Sequence, residues 1–245
     1  AKAVAPILNF KVKTGGNMVI NLSDAPAFHL HNVAVFGDDG RVRLSPISLT
    51  FDAGKRTVLM GASGIGKSTL LQILLGFGDF VGDVIVYTDG KAMRYDELDM
   101  NVLRTQLGYL SQSTPLLPIS IGDNLRLAKP SATDDELVQV LKDVALWETI
   151  SQLPDGMNTV LAERGGGLSG GQGQRLAIAQ LLLQNAKVWL LDEPTEHLDS
   201  QTAEQIKALL HRVSSAKTVI WVTHDKVGVD FDVVHDLTAL YQQKQ

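Results

Sequence analysis

Hydrophobic and polar positions along the chain change period several times, and the changes mark out its elements. From Phe28 the pattern alternates, with His29, His31, Val33 and Val35 on one side and Phe28, Leu30, Asn32, Ala34 and Phe36 on the other, which predicts a strand. Asp38-Asp39-Gly40 then predicts a hairpin turn into Val42, Leu44, Ile47, Leu49 and Phe51. A further turn at Asp52-Ala53-Gly54 leads to a short apolar run at 56–60, a glycine-rich stretch, and the helical spacing of Leu70, Leu71, Ile73, Leu74 and Leu75. Gly82 to Tyr87 reads as a strand, Thr88-Asp89-Gly90 as a turn, and Val102 to Leu110 as a polar-to-apolar run into another strand that ends near Gln112.

Beyond Pro115 and Pro118 the alternation of strands and helices stops. Thr133-x-x-Glu136 is a capping box, followed by Leu137, Val140, Leu141 and Val144 at helical spacing, so residues 113–184 predict a mostly helical insertion. The α/β pattern resumes with the buried-strand run Val188 to Leu191, a helix carrying Ile206, Leu209, Leu210 and Val213, and a last β run from Thr218 to Thr223. The expected architecture is α/β: an antiparallel β unit at about 28–52, a core at about 53–112 and 185–240, and the helical insertion between. Residues 1–27 have weak periodicity, with Pro6, Gly15, Gly16 and Pro26, and are expected to be a linker or an expression remnant with little function.

Composition narrows this picture only a little. At 245 residues and 44% hydrophobic content the chain can bury a real core, and 22 basic against 27 acidic residues, a net charge of -5, give no general attraction to nucleic acid. There are no cysteines, which excludes disulfides and thiolate metal sites. No apolar run approaches the roughly 20 residues of a membrane span and no signal-peptide pattern opens the chain, so it is expected to be soluble by itself.

The candidate chemistry lies in the loops. Gly61, Ala62, Ser63, Gly64, Ile65, Gly66, Lys67, Ser68 and Thr69 stand between a predicted strand and a predicted helix, the context a phosphate-binding loop requires. The glycines let successive N–H groups turn inward, and the helix adds the positive end of its dipole. Lys67 is placed to reach the β- and γ-phosphates of a nucleoside triphosphate, and the Ser68 hydroxyl to ligate Mg²⁺. Gln112, just past a strand, can offer an amide oxygen to the same ion. Asp192 and Glu193 end a buried strand: Asp192 can hold Mg²⁺ through water, and Glu193 can orient or deprotonate the attacking water. His224, at the end of the last β run, can donate a hydrogen bond to the γ-phosphate.

Phe36 offers an aromatic face on which adenine could stack, with core packing as the rival reading. His29 and His31 share a strand face but have no third ligand nearby, so they read as surface or packed residues rather than a metal site. Ser169, Gly170, Gly171 and Gln172 open a second helix with capping-box spacing and bare N–H groups, a second anion site about a hundred residues from the first. Two such sites are odd for one bound nucleotide.

In this order, from about Phe28 to Leu240, the motifs resemble the nucleotide-binding domain of an ABC transporter. Residues 61–69 are similar to its Walker A motif, Gln112 to the Q-loop, Leu168 to Gln172 to the signature, and 188–192 to Walker B. Glu193 matches the catalytic carboxylate, Leu198-Asp199 the D-loop and His224 the switch histidine, while Phe36 stands where the A-loop aromatic is expected. The resemblance implies a P-loop NTPase core with an N-terminal antiparallel β subdomain and an inserted α-helical subdomain. It implies ATP and Mg²⁺ as cofactors, and a head-to-tail pair of domains in which each ATP lies between the Walker A of one copy and the signature of the other. That pairing would account for the two anion sites.

Partners implied are a second ABC ATPase domain, identical or not, and a membrane-spanning domain, with no nucleic acid; the location implied is the cytoplasmic face of the inner (plasma) membrane. Leu153-Pro154-x-Gly156-x-x-Thr159 with Glu163, and Ser120-Ile121-x-Asp123-Asn124, resemble the exporter branch. Gly76 to Gly82 with Leu127-Ala128-Lys129-Pro130 resemble the cysteine/glutathione exporter needed for cytochrome bd assembly. The alternatives are an importer's separate ATPase subunit and a soluble ABC protein acting on nucleic acid. Asp225 to Leu240 departs from the family by lacking the usual glycine-bearing hairpin and closing helix.

Overall fold

The structure, a computed structural model, describes residues 16–112, 115–162, 165–224 and 230–243. Two sheets organise it. Strands β1 (Ala27–Phe36), β2 (Val42–Phe51), β4 (Val81–Thr88) and β5 (Lys91–Arg94) form an antiparallel sheet in the order β2-β1-β4-β5. Strands β3 (Arg56–Met60), β6 (Leu107–Leu110), β7 (Val188–Asp192), β8 (Thr218–Val222) and β9 (Val233–Asp236) form a parallel sheet in the order β6-β7-β8-β3-β9. Every residue of β7 and β8 is buried, as continuous apolar runs covered on both faces must be. A parallel sheet gathers the carboxyl ends of its strands at one edge, where ligands bind in open α/β folds. Here the loops leaving β3, β6, β7 and β8 meet at that edge.

Helix α1 (Lys67–Leu74) buries Leu70, Leu71, Ile73 and Leu74 between the two sheets, and the short α2 (Met100–Arg104) adds Leu103 to the same core. On the other side of the parallel sheet lie α3 (Ile121–Ala128), α4 (Asp134–Asp143), α5 (Trp147–Ser151) and α6 (Gly170–Gln184), packed with α7 (Ser200–Val213) over Leu110, Trp189, Leu191 and Trp221. The capping box at Thr133 and Glu136 is formed. Asn124, fully buried, ties the start of the helical part together: its side chain bonds the backbone of Leu117, Ile119 and Ser120.

Several expectations need correction. Residues 16–26 are not a free linker: Ile20 and Leu22 are buried in the core, and Gln106 holds both, its Oε1 accepting from Leu22 N at 2.5 Å and its Nε2 donating to Ile20 O at 2.6 Å. The strict alternation of β1 stops after Leu30, because the strand bulges and Asn32 takes a φ of 49°; His31 and Asn32 are then both exposed, and Val33 and Ala34 both buried. The last strand is not β8: β9 follows it and α8 (Leu237–Gln242) closes the chain, capped by Asp236, so a short closing helix is present after all. His29 is packed against Tyr87, with ring centroids 4.4 Å apart. No described helix is long and apolar enough to cross a membrane.

Candidate functional site

The glycine-rich loop after β3 curls because its glycines take backbone angles closed to other residues. Gly66, at φ 106°, starts α1 without a side-chain cap, and a Cβ there would lie 2.7 Å from Leu44 Cδ1 and 2.9 Å from Arg43 O. The loop is held from two sides. Lys67 Nζ donates to the carbonyls of Gly61 (2.7 Å) and Ala62 (3.1 Å), and Thr238 Oγ1 in α8 accepts from Ala62 N at 3.0 Å. Leu237 and Ile65 lie against Gly61.

A cleft of about 700 Å³ opens above this loop. Ser63, Gly64, Gly66, Lys67, Ser68, Thr69, Gln112, Asp192, Glu193 and His224, all expected from the sequence, line it together. So do Val42, Arg43, Glu196 and Val222, which the sequence reading passed over. Glu193 has φ 50°, and its N–H donates to Val222 O at 3.1 Å, so the turn after β7 is bound to the end of β8. That turn brings Glu193 Oε1 within 2.8 Å of His224 Nδ1. Glu196 Oε2, three residues on, accepts from Gln112 Nε2.

Asp192 is the buried member of this group. Burial pushes its carboxyl above the usual range, the Ser68 hydroxyl hydrogen-bonded to it and the nearby Lys67 pull the other way, and the Glu193 and Glu196 carboxylates add to the rise. The Ser68 hydroxyl, the Asp192 carboxyl and the Gln112 amide bring oxygen donors to one cleft, the ligand chemistry that a divalent cation such as Mg²⁺ takes. The uncapped start of α1 and Lys67 fit the phosphates of a nucleotide equally well.

Gly61, Ala62 and Ile65 belong to the loop without lining the cleft, and Phe36 and the stretch 169–172 lie elsewhere. Phe36 does not line the cleft; it is half-buried at the end of β1, paired across the hairpin with Val42, which does. Ser169, Gly170, Gly171 and Gln172 do not line it either. Ser169 and Gln172 close on each other as a capping box, with Ser169 Oγ accepting from Gln172 N and Gln172 Oε1 accepting from Ser169 N. The helix they start is nonetheless tied to the cleft from behind, since buried Gln174 donates to Pro194 O at 3.0 Å. Glu163 lies outside the described residues, as does Asp225.

Thr238 and Glu196 carried no readable signal. A Thr near the chain end and a Glu in a polar turn are ordinary surface residues until the fold brings them to the loop.

Residues 44–196 match the family model described as ABC transporter. The chain is 39% identical over 181 residues to the heavy metal tolerance protein of Schizosaccharomyces pombe, covering 74% of this chain and 21% of that protein. It is 33% identical over 194 residues to the transport ATP-binding protein AarD of Providencia stuartii, covering 79% and 32%. The mitochondrial iron-sulfur clusters transporter ATM1 of Saccharomyces cerevisiae is 37% identical over 186 residues, covering 74% and 26%. The chain thus spans about a fifth to a third of the length of these relatives. Among solved structures, a bacterial Atm1-family ABC exporter with ATP bound superposes with a TM-score of 0.81 at 28% identity, covering 100% of this chain and 44% of that one.

Proposed function

The chain belongs to the ABC transporter family, and from that premise we propose that it is the ATP-binding and ATP-hydrolysing motor domain of an exporter whose membrane-spanning part lies outside this sequence. The observation that carries the proposal is the Glu193–His224 pair, 2.8 Å apart at the mouth of a cleft that also holds Lys67 and Asp192. In this reading Lys67 exchanges the Gly61 and Ala62 carbonyls for the β- and γ-phosphates. Glu193 takes a proton from the attacking water while His224 keeps its carboxylate in place. Ser68, Asp192 and Gln112 would hold Mg²⁺, whose charge would offset that of the phosphates.

The bare N–H groups of Gly170 and Gly171 serve the cleft of a second copy, which makes two domains and two nucleotides the working unit. Closure on nucleotide and reopening after hydrolysis would drive the membrane domain, from the cytoplasmic face of the membrane. The narrower likeness to the cysteine/glutathione exporter makes a small thiol the first cargo to test.

Phosphate release from ATP by the purified chain tests the enzymatic half. Glu193→Gln should slow turnover at least about a hundredfold while nucleotide still binds. Equal turnover in the variant and the parent would remove Glu193 from the chemistry and overturn the mechanism.

A further inference from the structure

Glu196 lies in the turn between β7 and α7 and faces the cleft beside Asp192, Glu193 and Gln112. Its Oε2 accepts the amide of Gln112 at 2.5 Å, a contact between residues 84 positions apart. The partner chemistry fixes which end of the amide is used. A carboxylate only accepts, so the Gln112 group against it must be the NH₂, and the carbonyl Oε1 is the end left for another partner.

The turn that carries Glu196 is held by its backbone, so the carboxylate is presented with little freedom to lose. Glu196 N donates to Glu193 O at 3.2 Å, Leu198 N to Thr195 O at 3.2 Å, and Gln174 of α6 to Pro194 O at 3.0 Å. The side chain is one-third exposed, and His197 Nδ1 stands 4.0 Å from the same Oε2. Gln112, by contrast, is an exposed loop residue whose amide would otherwise sample both orientations.

We propose that Glu196 is a positioning residue for Gln112: by accepting the amide NH₂ it presents Gln112 Oε1 to the divalent cation held by Ser68 and Asp192. Groups that orient a metal ligand from behind commonly matter to metal affinity about as much as a weak ligand does. The inference rests on the Mg-ATP reading of the cleft given above. It is specific to the hydrogen bond and does not require the charge of Glu196. A Gln at position 196 could accept the same bond through its own amide oxygen, whereas an Ala could not.

The test is Mn²⁺ affinity of the full chain in the presence of a non-hydrolysable ATP analogue, read from the electron paramagnetic resonance signal of free Mn²⁺. Glu196→Ala and Gln112→Ala should each weaken Mn²⁺ binding about tenfold. The double variant should be no weaker than Gln112→Ala alone, because Glu196 acts only through Gln112. Glu196→Gln should recover the parent affinity to within about twofold.

Unchanged Mn²⁺ affinity in Glu196→Ala would overturn the proposal. So would additive losses in the double variant, or a Glu196→Gln protein as weak as Glu196→Ala, which would make the effect one of charge. A parent chain that failed to bind the analogue at all would fell the nucleotide reading itself, a failure distinct from these.

Discussion

Two helix starts carry the candidate anion sites, α1 at Gly66 and α6 at Ser169, and the chain finishes them in opposite ways. Gly66 leaves α1 without a side-chain cap, and the loop before it is propped from outside by Lys67 and Thr238. Ser169 and Gln172 cap α6 themselves through a reciprocal pair of hydrogen bonds. The first start faces a cleft lined by the carboxylates and His224; the second lines no part of that cleft. The α6 start satisfies its Ser169 and Gln172 N–H groups within the chain and still keeps those of Gly170 and Gly171, whereas the α1 start has no side-chain acceptor of its own. The comparison separates a helix start that opens on the cleft of its own chain from one that lines no part of it.

The difference is broken first at Lys67. Lys67→Ala should weaken binding of a fluorescent ATP analogue about a hundredfold, since a charge-assisted contact to phosphate is lost, while Ser169→Ala should leave the affinity of the isolated chain unchanged. Equal losses in the two variants would erase the distinction. Next in size, Ser169→Ala should cost about 1 kcal/mol of stability through the lost cap, read as a lower denaturant midpoint at unchanged slope.

Smaller still, and opposite in sign, is the effect at Asp192. Its carboxyl is pushed up by burial, so the folded state holds that proton more tightly than the unfolded chain. The stability this contributes is present below the ordinary carboxylate range and is lost as pH rises through the raised value. Asp192→Asn should therefore stabilise the nucleotide-free chain at neutral pH by less than Ser169→Ala costs it, read as a raised thermal midpoint, and the gain should vanish in acid. A gain independent of pH would mean that burial of the charge is not its source.

These contrasts also show what the sequence exposes and what it hides. The loop at 61–69 and the β7 run were legible because glycine spacing and an unbroken apolar stretch are local properties. So was the start of α6, whose capping box needs only residues 169 and 172. Hidden were features that depend on distant partners: Ile20 and Leu22 look like scattered apolar residues until Gln106 ties them down. β9 is four residues of half-polar pattern, made a strand by pairing with β3. Glu196 and Thr238 are ordinary polar residues whose importance comes from Gln112 and Ala62, far away in the chain.

Whether the α6 start of one copy meets the nucleotide of another is decided by sedimentation of the Glu193→Gln chain with and without Mg-ATP. A monomer without nucleotide and a dimer with it, the dimer lost again when Lys67→Ala is added, is the predicted result. A Glu193→Gln chain that stays monomeric while its cleft is saturated with Mg-ATP would contradict it.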